Sequence, residues 1–241
     1  MWTLERAITS PVQTENQTPA VVQRMRMTFT KEGAARYISH LDLARAVERA
    51  LNRAELPVAY TQGFNRRPRL SLAAALPLGY TSRVEIADVW LMEAVDPQQF
   101  RQRLGLSMPP GIEVTAAEEV ELSAPSIQKL LADSSYEVEF LEPLDEGALR
   151  ADVVAMLAAE SLVRERSRHK SDKPQFVDLR PLIISLEVVS GRNEGVRLLM
   201  RLVQTASQTG RPDDVLMALS IDPLDVRVQR LALGFDDAVS L

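Results

Sequence analysis

Cysteine is absent from this 241-residue sequence, and histidine occurs only twice, at His40 and His169. Without a thiol the chain cannot form a disulfide, hold an iron–sulfur cluster or use a cysteine nucleophile. The two histidines leave few of the nitrogen ligands from which zinc sites are built. We therefore expect no resident metal and no cofactor, and the lack of cysteine fits a reducing compartment.

Long apolar runs are also missing. No stretch approaches the roughly 18–20 apolar residues that a membrane-spanning helix needs. Residues 1–20 have no apolar centre of the signal-peptide type. We expect a cytoplasmic protein without a membrane partner. The sequence also has no phosphate-cradling glycine loop and no nucleophile elbow, so it indicates no familiar catalytic motif.

Positive charge is unevenly distributed along the chain. The formal net charge is −5. Residues 22–70 contain ten Lys/Arg and four Asp/Glu, a balance of +6, so the remainder carries −5 − 6 = −11. A basic block in an acidic protein indicates a candidate anion-binding face. The alternative is an ordinary solvated surface.

The apolar periodicity predicts an α+β protein made of two tandem ferredoxin-like units. Each unit has the element order β-α-β-β-α-β, with antiparallel sheets. A flexible polar tail covers residues 1–21, the first unit covers residues 22–123, and the second covers residues 134–241. Residues 24–30 alternate between apolar and polar side chains, which predicts a half-buried strand.

The first helix of the first unit has a clear start. Ser39 is suited to an N-cap and Asp42 follows three residues later, a pairing that satisfies free amide groups at a helix start. Pro57 limits the helix, and residues 63–65 predict a turn. Apolar residues at helical spacing predict a core-facing stripe, which is Leu43, Val47, Ala50, Leu51 and Ala54.

Arginines dominate the rest of this region. They fall in two groups, which are Arg45, Arg49 and Arg53 at i, i+4 and i+8 on the helix, and Arg66, Arg67 and Arg69 beyond the turn. A guanidinium group can bind a phosphate through two hydrogen bonds, and the ring of Phe64 could stack on a base. This pattern predicts an RNA- or phosphate-binding face. The alternative is a helix balanced by Asp42, Glu48 and Glu55.

His40 is the candidate for acid–base chemistry, because histidine titrates near neutral pH. Its position at a helix start, among cations, predicts a lowered pKa and a neutral ring. Ser39, His40 and Asp42 are too close on one helical turn to form a catalytic triad. The alternative role for His40 is packing.

Two later segments also carry charge. A basic run contains Arg164, Arg166 and Lys170, and its alternative role is protection of an edge strand. Asp178 and Arg180, which is followed by proline, predict a turn held by a buried ion pair.

Several short motifs in the sequence resemble those of a bacterial family linked to radical SAM proteins. They are RYISHLDL from Arg36, RAELP from Arg53, GFNRRP from Gly63, ALPLGYTSRVE from Ala75, and the KSDKPQFVDLRP segment that contains Lys170 and Arg180. The resemblance implies a cytoplasmic bacterial protein that works with a separate radical SAM chain. Where the family turn often reads GFN-Pro-His-Pro, this chain has Arg66 and Arg67, which suit phosphate binding better than acid–base catalysis.

Three functions follow as hypotheses. The first is a non-catalytic RNA- or phosphate-binding accessory protein for a radical SAM enzyme that modifies RNA or a ribosomal component. Its binding residues would be Arg36, His40, Arg45, Arg49, Arg53, Phe64, Arg66, Arg67, Arg69, Lys170 and Arg180. The second is a metal-independent endoribonuclease of the CRISPR repeat-processing type, with His40 as the base or acid. The third is a purely structural docking partner of the radical SAM protein. The RNA hypotheses require the cations to meet in one cleft.

Overall fold

The computed structural model describes residues 20–166, 175–191 and 195–236. The strands are β1 (Gln23–Lys31), β2 (Leu70–Leu72), β3 (Thr81–Leu91), β4 (Val114–Val120), β5 (Leu131–Phe140), β6 (Val163–Glu165), β7 (Phe176–Asp178), β8 (Ile183–Gly191), β9 (Gly195–Val203) and β10 (Val226–Phe235). The helices are α1 (His40–Arg53), α2 (Pro97–Ser107), α3 (Ile127–Leu130), α4 (Glu146–Ala158) and α5 (Pro212–Ala218). The predicted α+β class is confirmed.

One eight-stranded sheet runs through both halves of the protein. Its order is β4-β1-β3-β10-β5-β9-β8, with β2 paired to β3, and β6 and β7 form a separate pair. The neighbours in the large sheet are antiparallel except β3 and β10, which are parallel, with Gln229 opposite Thr81 and Arg230 opposite Ser82. The sequence predicts separate sheets, whereas this short parallel pairing joins the halves into one.

Helices cover one face of each half. In the first half α1 and α2 place Leu43, Val47 and Phe100 against Met27 and Phe29 of β1, and all five side chains are buried. In the second half α4 and α5 pack in the same way over β5, β8, β9 and β10. Burial of these apolar faces supplies the main stabilisation of the fold.

Strand β1 differs from its prediction because both of its faces are buried. Arg24 and Arg26 are 2% and 4% exposed. The segment after β4 lies over this face, since the Arg24 guanidinium donates to Ala124 O at 2.6 Å and to Pro125 O at 2.9 Å. The alternation of apolar and polar residues within β1 cannot indicate that a distant linker covers its polar face.

Two strand boundaries in the second half differ from those that the apolar pattern predicts, and polar residues lie at both. β5 begins at Leu131, earlier than the apolar pattern indicates, because the polar residues Asp133 and Ser134 pair with β9 through their backbones. The apolar stretch after residue 176 is broken at Asp178, whose Oδ1 accepts from Leu162 N at 2.7 Å and from Arg180 N at 3.0 Å. None of the helices in the described ranges has the length and apolar character needed to cross a bilayer.

Candidate nucleic-acid interface

A loop between α1 and β2 holds the second group of predicted cations. Its base is closed by the bridge between Tyr60 and Pro68, and Thr61 N donates to Arg67 O at 2.8 Å. At its tip Gly63 has a φ of 129°, which favours glycine. The predicted turn is therefore present, and it projects the side chains between Gln62 and Arg67 into solvent.

The base of this loop borders a cleft of about 570 Å³, which we call the loop cleft. It is lined by Val21, Ala59, Tyr60, Thr61, Gln62, Arg66, Arg69 and Met92. Two of the predicted cations, Arg66 and Arg69, thus meet at one concave surface. The lining also supplies hydroxyl and amide groups from Tyr60, Thr61 and Gln62, which can bind polar edges of a ligand.

Phe64 and the adjacent arginines are free of internal partners. Phe64 is 106% exposed, the largest exposure among the large hydrophobic side chains in the described ranges. Within the same ranges the guanidinium groups of Arg66 and Arg67 make no hydrogen bond or ion pair. An unsupported aromatic ring beside uncompensated cations combines a stacking platform with phosphate-binding charge.

Arg69 is positioned by stacking. Its guanidinium carbon lies 4.4 Å from the ring centroid of Trp90, and that of Arg24 lies 5.2 Å from the same ring. Arg24 and Arg26 both pair with the fully buried Asp88, at 2.5 Å and 2.9 Å. One carboxylate serves two guanidinium groups, and Glu118 of β4 lies opposite Arg26 in the sheet. Neither Trp90 nor Asp88 is among the residues predicted from the sequence.

Helix α1 begins as predicted. Asp42 N donates to Ser39 Oγ at 3.1 Å, and the Ser39 hydroxyl donates to the Asp42 carboxylate at 2.7 Å. The hydrogen bond from Ser39 lowers the pKa of Asp42, and the charges of Arg45 and Arg49 add to this effect. The cap therefore has a structural role, as the S-x-x-D pattern indicates.

The arginines of α1 do not line the loop cleft. Arg45 pairs with Asp42 at 3.3 Å on the exposed face. Arg49 is exposed and makes no hydrogen bond or ion pair with a described residue. Arg53 donates to Ser107 O and so ties the end of α1 to the end of α2. The helix still contacts the cleft, because Tyr60 donates its hydroxyl to Asn52 Oδ1 at 2.8 Å.

His40 lies away from the loop cleft. It is half-buried, and its Nδ1 has no hydrogen-bond partner within the described part of the chain. Burial lowers the pKa of His40; the carboxylate of Glu85 opposes that shift, while Arg230 and Lys31 add to it. The predicted lowering of the pKa of His40 is confirmed, but its main cause is burial. The cations that add to it lie on β1 and β10.

Those cations belong to a buried polar group at the junction of β3 and β10, which we call the seam cluster (Lys31, Glu85, Tyr136 and Arg230). Arg230 is fully buried and donates to Glu85 Oε1 at 2.7 Å and to the Tyr136 hydroxyl at 3.3 Å. Lys31 is 1% exposed, and burial lowers its pKa. No local motif in the sequence marks this cluster, because its members come from distant segments of the chain.

The remaining predicted binding residues are dispersed. Arg36 lines a second groove, of about 300 Å³, between the halves, and donates to Gly33 O at 3.2 Å. Arg180 donates to Leu157 O and Ile183 O, both at 3.1 Å, so the expected ion pair with Asp178 is replaced by bonds to the backbone. Lys170 lies outside the described residues. The predicted convergence on one cleft therefore holds for Arg66 and Arg69 only.

Comparisons with solved structures give weak similarity. A chain of a Cbf5-Nop10-Gar1 complex is 8% identical, with a TM-score of 0.46, and the match covers 88% of this chain and 50% of that chain. This protein therefore spans half the length of that chain. A protein described as a glycine cleavage system transcriptional repressor is 11% identical, with a TM-score of 0.23 and coverage of 89% and 97%. Both TM-scores are too low to indicate a shared fold.

No curated protein sequence matches the chain. A family model does match, over residues 24–212, which is most of its length. That range includes the buried arginines of β1, helix α1, the loop that carries Arg66 and Arg67, and the start of α5. The chain belongs to the family described as "uncharacterized protein conserved in bacteria (DUF2344)".

Proposed function

We propose that this protein is a non-catalytic accessory subunit that binds single-stranded RNA at the loop cleft and acts with a radical SAM enzyme. Arg66, Arg67 and Arg69 hold phosphates, and Phe64 stacks on a base. The observation that carries the proposal is the fully exposed ring of Phe64 on a loop whose arginines have no carboxylate partner among the described residues. The resemblance noted in the sequence supplies the radical SAM partner.

The shape of the site supports a single strand. A base must be unstacked from its neighbours to lie on an aromatic side chain, and a projecting ring such as Phe64 reaches bases only in single-stranded RNA or loops. Stacking on Trp90 holds the Arg69 side chain in place before RNA arrives, which reduces the entropy lost on binding.

The proposal includes a fold assignment for the two halves, each as a ferredoxin-like unit. The first half has the strand order β4-β1-β3-β2, and the second has β10-β5-β9-β8. In each half the fourth strand lies beside the first, and the third lies between the first and second. The first half follows the element order β-α-β-β-α-β of that fold, and the second half follows it with the β6–β7 pair inserted after α4.

Fluorescence anisotropy with a labelled single-stranded RNA, measured across a salt series, tests RNA binding. Phe64→Ala is expected to weaken affinity by about 1–3 kcal/mol through lost stacking. The double variant Arg66→Ala/Arg67→Ala is expected to reduce the slope of log K against log salt by about 1.4, or roughly 0.7 per lost phosphate contact.

Two variants of the second half serve as controls. Leu224→Ala removes another exposed hydrophobic side chain, and Arg150→Ala removes another exposed arginine. Neither should change RNA affinity. Absence of RNA binding at low salt, or equal losses in the controls, would overturn RNA binding at this site.

The endoribonuclease alternative requires His40 next to the bound RNA. His40 does not line the loop cleft, so the geometry favours binding without cleavage. Incubation of a labelled RNA with excess protein and a metal chelator distinguishes the two. We expect intact RNA, whereas cleavage that disappears in His40→Ala would establish the nuclease alternative.

A further inference from the structure

The lining of the loop cleft contains two cations and no acid. Arg66 and Arg69 lie in its wall, and the other lining residues are uncharged. We propose that the cleft binds the terminal nucleotide of an RNA strand that ends in a phosphate monoester. This role rests on the RNA binding proposed above, and it identifies the end of the strand as the part that enters the cleft.

The residues around the cleft do not offset this charge. Residues 57–70, which contain the loop, include three arginines and no acid. The chain neighbours of the lining residues add one cation, Arg67, and one acid, Glu93, which is exposed and does not line the cleft. Asp88, the preceding acid on β3, is fully buried and pairs with two buried arginines of β1. The two guanidinium groups of the cleft wall therefore keep their charge.

Both guanidinium groups are available to a ligand. Arg66 makes no hydrogen bond or ion pair with a described residue. Arg69 stacks on the ring of Trp90 at 4.4 Å, and its guanidinium N–H groups bond to no residue in the described ranges. An arginine held by its face keeps the donors at its edge, and these bind phosphate oxygens in pairs.

Two cations at one concave surface match a terminal phosphate better than an internal one. A phosphate inside a strand is a diester with a single negative charge. A phosphate monoester carries a charge of roughly −1.5 to −2 at pH 7 and has three oxygen atoms that accept hydrogen bonds. A diester in the cleft would leave one of the two guanidinium groups without a counter-charge, whereas a monoester balances both.

The rest of the lining suits one nucleotide. Val21, Ala59 and Met92 offer apolar contacts to a base or a sugar. The side chain of Gln62 bonds to no described residue, so its amide donor and acceptor are free for the polar edge of a base. The cleft volume of about 570 Å³ lies within the range of roughly 300–1,000 Å³ that is typical of small-molecule sites. We therefore expect one nucleotide inside the cleft and the following nucleotides outside it.

Backbone hydrogen bonds fix the wall of the cleft. Ala59 N donates to Trp90 O at 2.7 Å, Arg69 N donates to Ala59 O at 2.7 Å, and Trp90 N donates to Arg69 O at 3.2 Å. At the base of the loop, Arg67 N donates to Thr61 Oγ1 at 3.2 Å. A wall that is fixed before the ligand arrives loses less entropy on binding.

The loop divides its groups between the cleft and the solvent. Phe64 and Arg67 are exposed and do not line the cleft. They can hold the nucleotides that follow the terminal one, whichever chemical group ends the strand. Recognition of the end is then assigned to Arg66 and Arg69. Arg66→Gln and Arg67→Gln are therefore a matched pair, because they remove the same charge from adjacent positions, one inside the cleft and one outside.

Competition with chemically defined RNA ends tests this role. A labelled single-stranded RNA bound to the full chain is displaced by unlabelled RNAs of one sequence, and fluorescence anisotropy follows the displacement. The competitors carry hydroxyl groups at both ends, a 5′-phosphate, a 3′-phosphate, or the methyl ester of either phosphate. We expect a phosphate at one of the two ends to tighten binding by about tenfold relative to the hydroxyl form. The methyl ester, which has a single charge, should lose most of that gain.

The matched variants separate end recognition from general binding. Arg66→Gln should remove most of the preference for a phosphate end. Arg67→Gln should weaken all competitors alike and leave the preference unchanged. Equal affinity for hydroxyl and phosphate ends, full affinity of the methyl ester, or equal loss of the preference in both variants would overturn end recognition while leaving RNA binding in place.

Mononucleotides test the cleft without a strand. The ¹H–¹⁵N chemical shifts of the full chain are followed during titration with uridine monophosphate, uridine or inorganic phosphate. We expect uridine monophosphate to bind most tightly of the three, and Arg66→Gln to weaken it. If that holds while the wild type binds no RNA, the nucleotide site stands and the RNA-binding proposal fails. Equal affinity for uridine or for inorganic phosphate would overturn the nucleotide site.

Discussion

The hydroxyl of Tyr60 donates to Asn52 Oδ1 at 2.8 Å, so the loop cleft and the end of α1 are directly bonded. Asn52 lies on the exposed face of the helix, and Tyr60 lines the cleft. This contact fixes where the projecting loop sits relative to the arginines of the helix.

Tyr60→Phe removes this hydrogen bond and keeps the ring. We expect the free energy of unfolding to fall by about 0.5–1.5 kcal/mol, as for other single hydrogen bonds. Urea denaturation of Tyr60→Phe, Asn52→Ala and the double variant forms a double-mutant cycle. The free energy of unfolding of the double variant should be no lower than that of the less stable single variant. If the two single losses in the free energy of unfolding add fully, the two groups do not interact.

The Asp88 carboxylate is predicted to be essential for the first half of the sheet. Asp88→Asn leaves Arg24 and Arg26 buried without a counter-charge. Breaking a buried ion pair on one side costs about 3–5 kcal/mol, and denaturant unfolding should show a loss in that range. Asp152→Asn, an exposed position on α4, should change stability by less than about 0.5 kcal/mol. Equal effects at the two sites would contradict this role of Asp88.

The seam cluster should show strong coupling between Glu85 and Arg230. Arg230→Met removes the guanidinium group and leaves Glu85 buried, which we expect to destabilise the fold by about 3–5 kcal/mol. Glu85→Met and the double variant Glu85→Met/Arg230→Met complete the cycle, and the double variant should lose less stability than the sum of the two single variants. A double variant that loses the sum of the two single effects would show that the pair at 2.7 Å contributes no interaction.

His40 should make stability depend on pH. Burial holds its pKa below the ordinary value of 6.5, so the unfolded chain binds a proton that the folded chain resists. The contribution of neutral His40 to the free energy of unfolding is therefore fully present above pH 6.5, and it is lost as the pH drops below that value. Thermal melting across this window should show a smaller fall for His40→Gln than for the wild type. An unchanged pH profile in the variant would mean that His40 is not the group responsible.

Local sequence signals predicted the local structure well. Ser39 and Asp42 form the cap that their spacing indicates, the apolar stripe of α1 faces the core, and the glycine turn before Phe64 is present. These features depend on residues within one or two helical turns of each other. Hydrophobic period and capping chemistry are sufficient to predict such elements.

Long-range arrangement was not predictable in the same way. The alternation in β1 indicated an exposed arginine face, whereas Arg24 is buried under a linker 100 residues away in sequence. Glu85 pairs with Arg230 across 145 residues, and no local pattern marks either residue. The arginines at i, i+4 and i+8 do share a side of α1, but contact with Ser107 engages Arg53. Spacing predicts a shared helix face, but it does not predict which neighbours occupy that face.

The position of β10 in the sheet has a consequence for synthesis on the ribosome. This strand separates β3 from β5, yet it is translated after both of them. While the chain is still emerging, Glu85 and Lys31 have no guanidinium from Arg230 beside them, and the edge of β3 near Thr81 is open. A nascent chain cannot join the two halves of its sheet until β10 leaves the exit tunnel, so the edge of β3 near Thr81 and the carboxylate of Glu85 stay unpaired with β10 throughout translation of the second half.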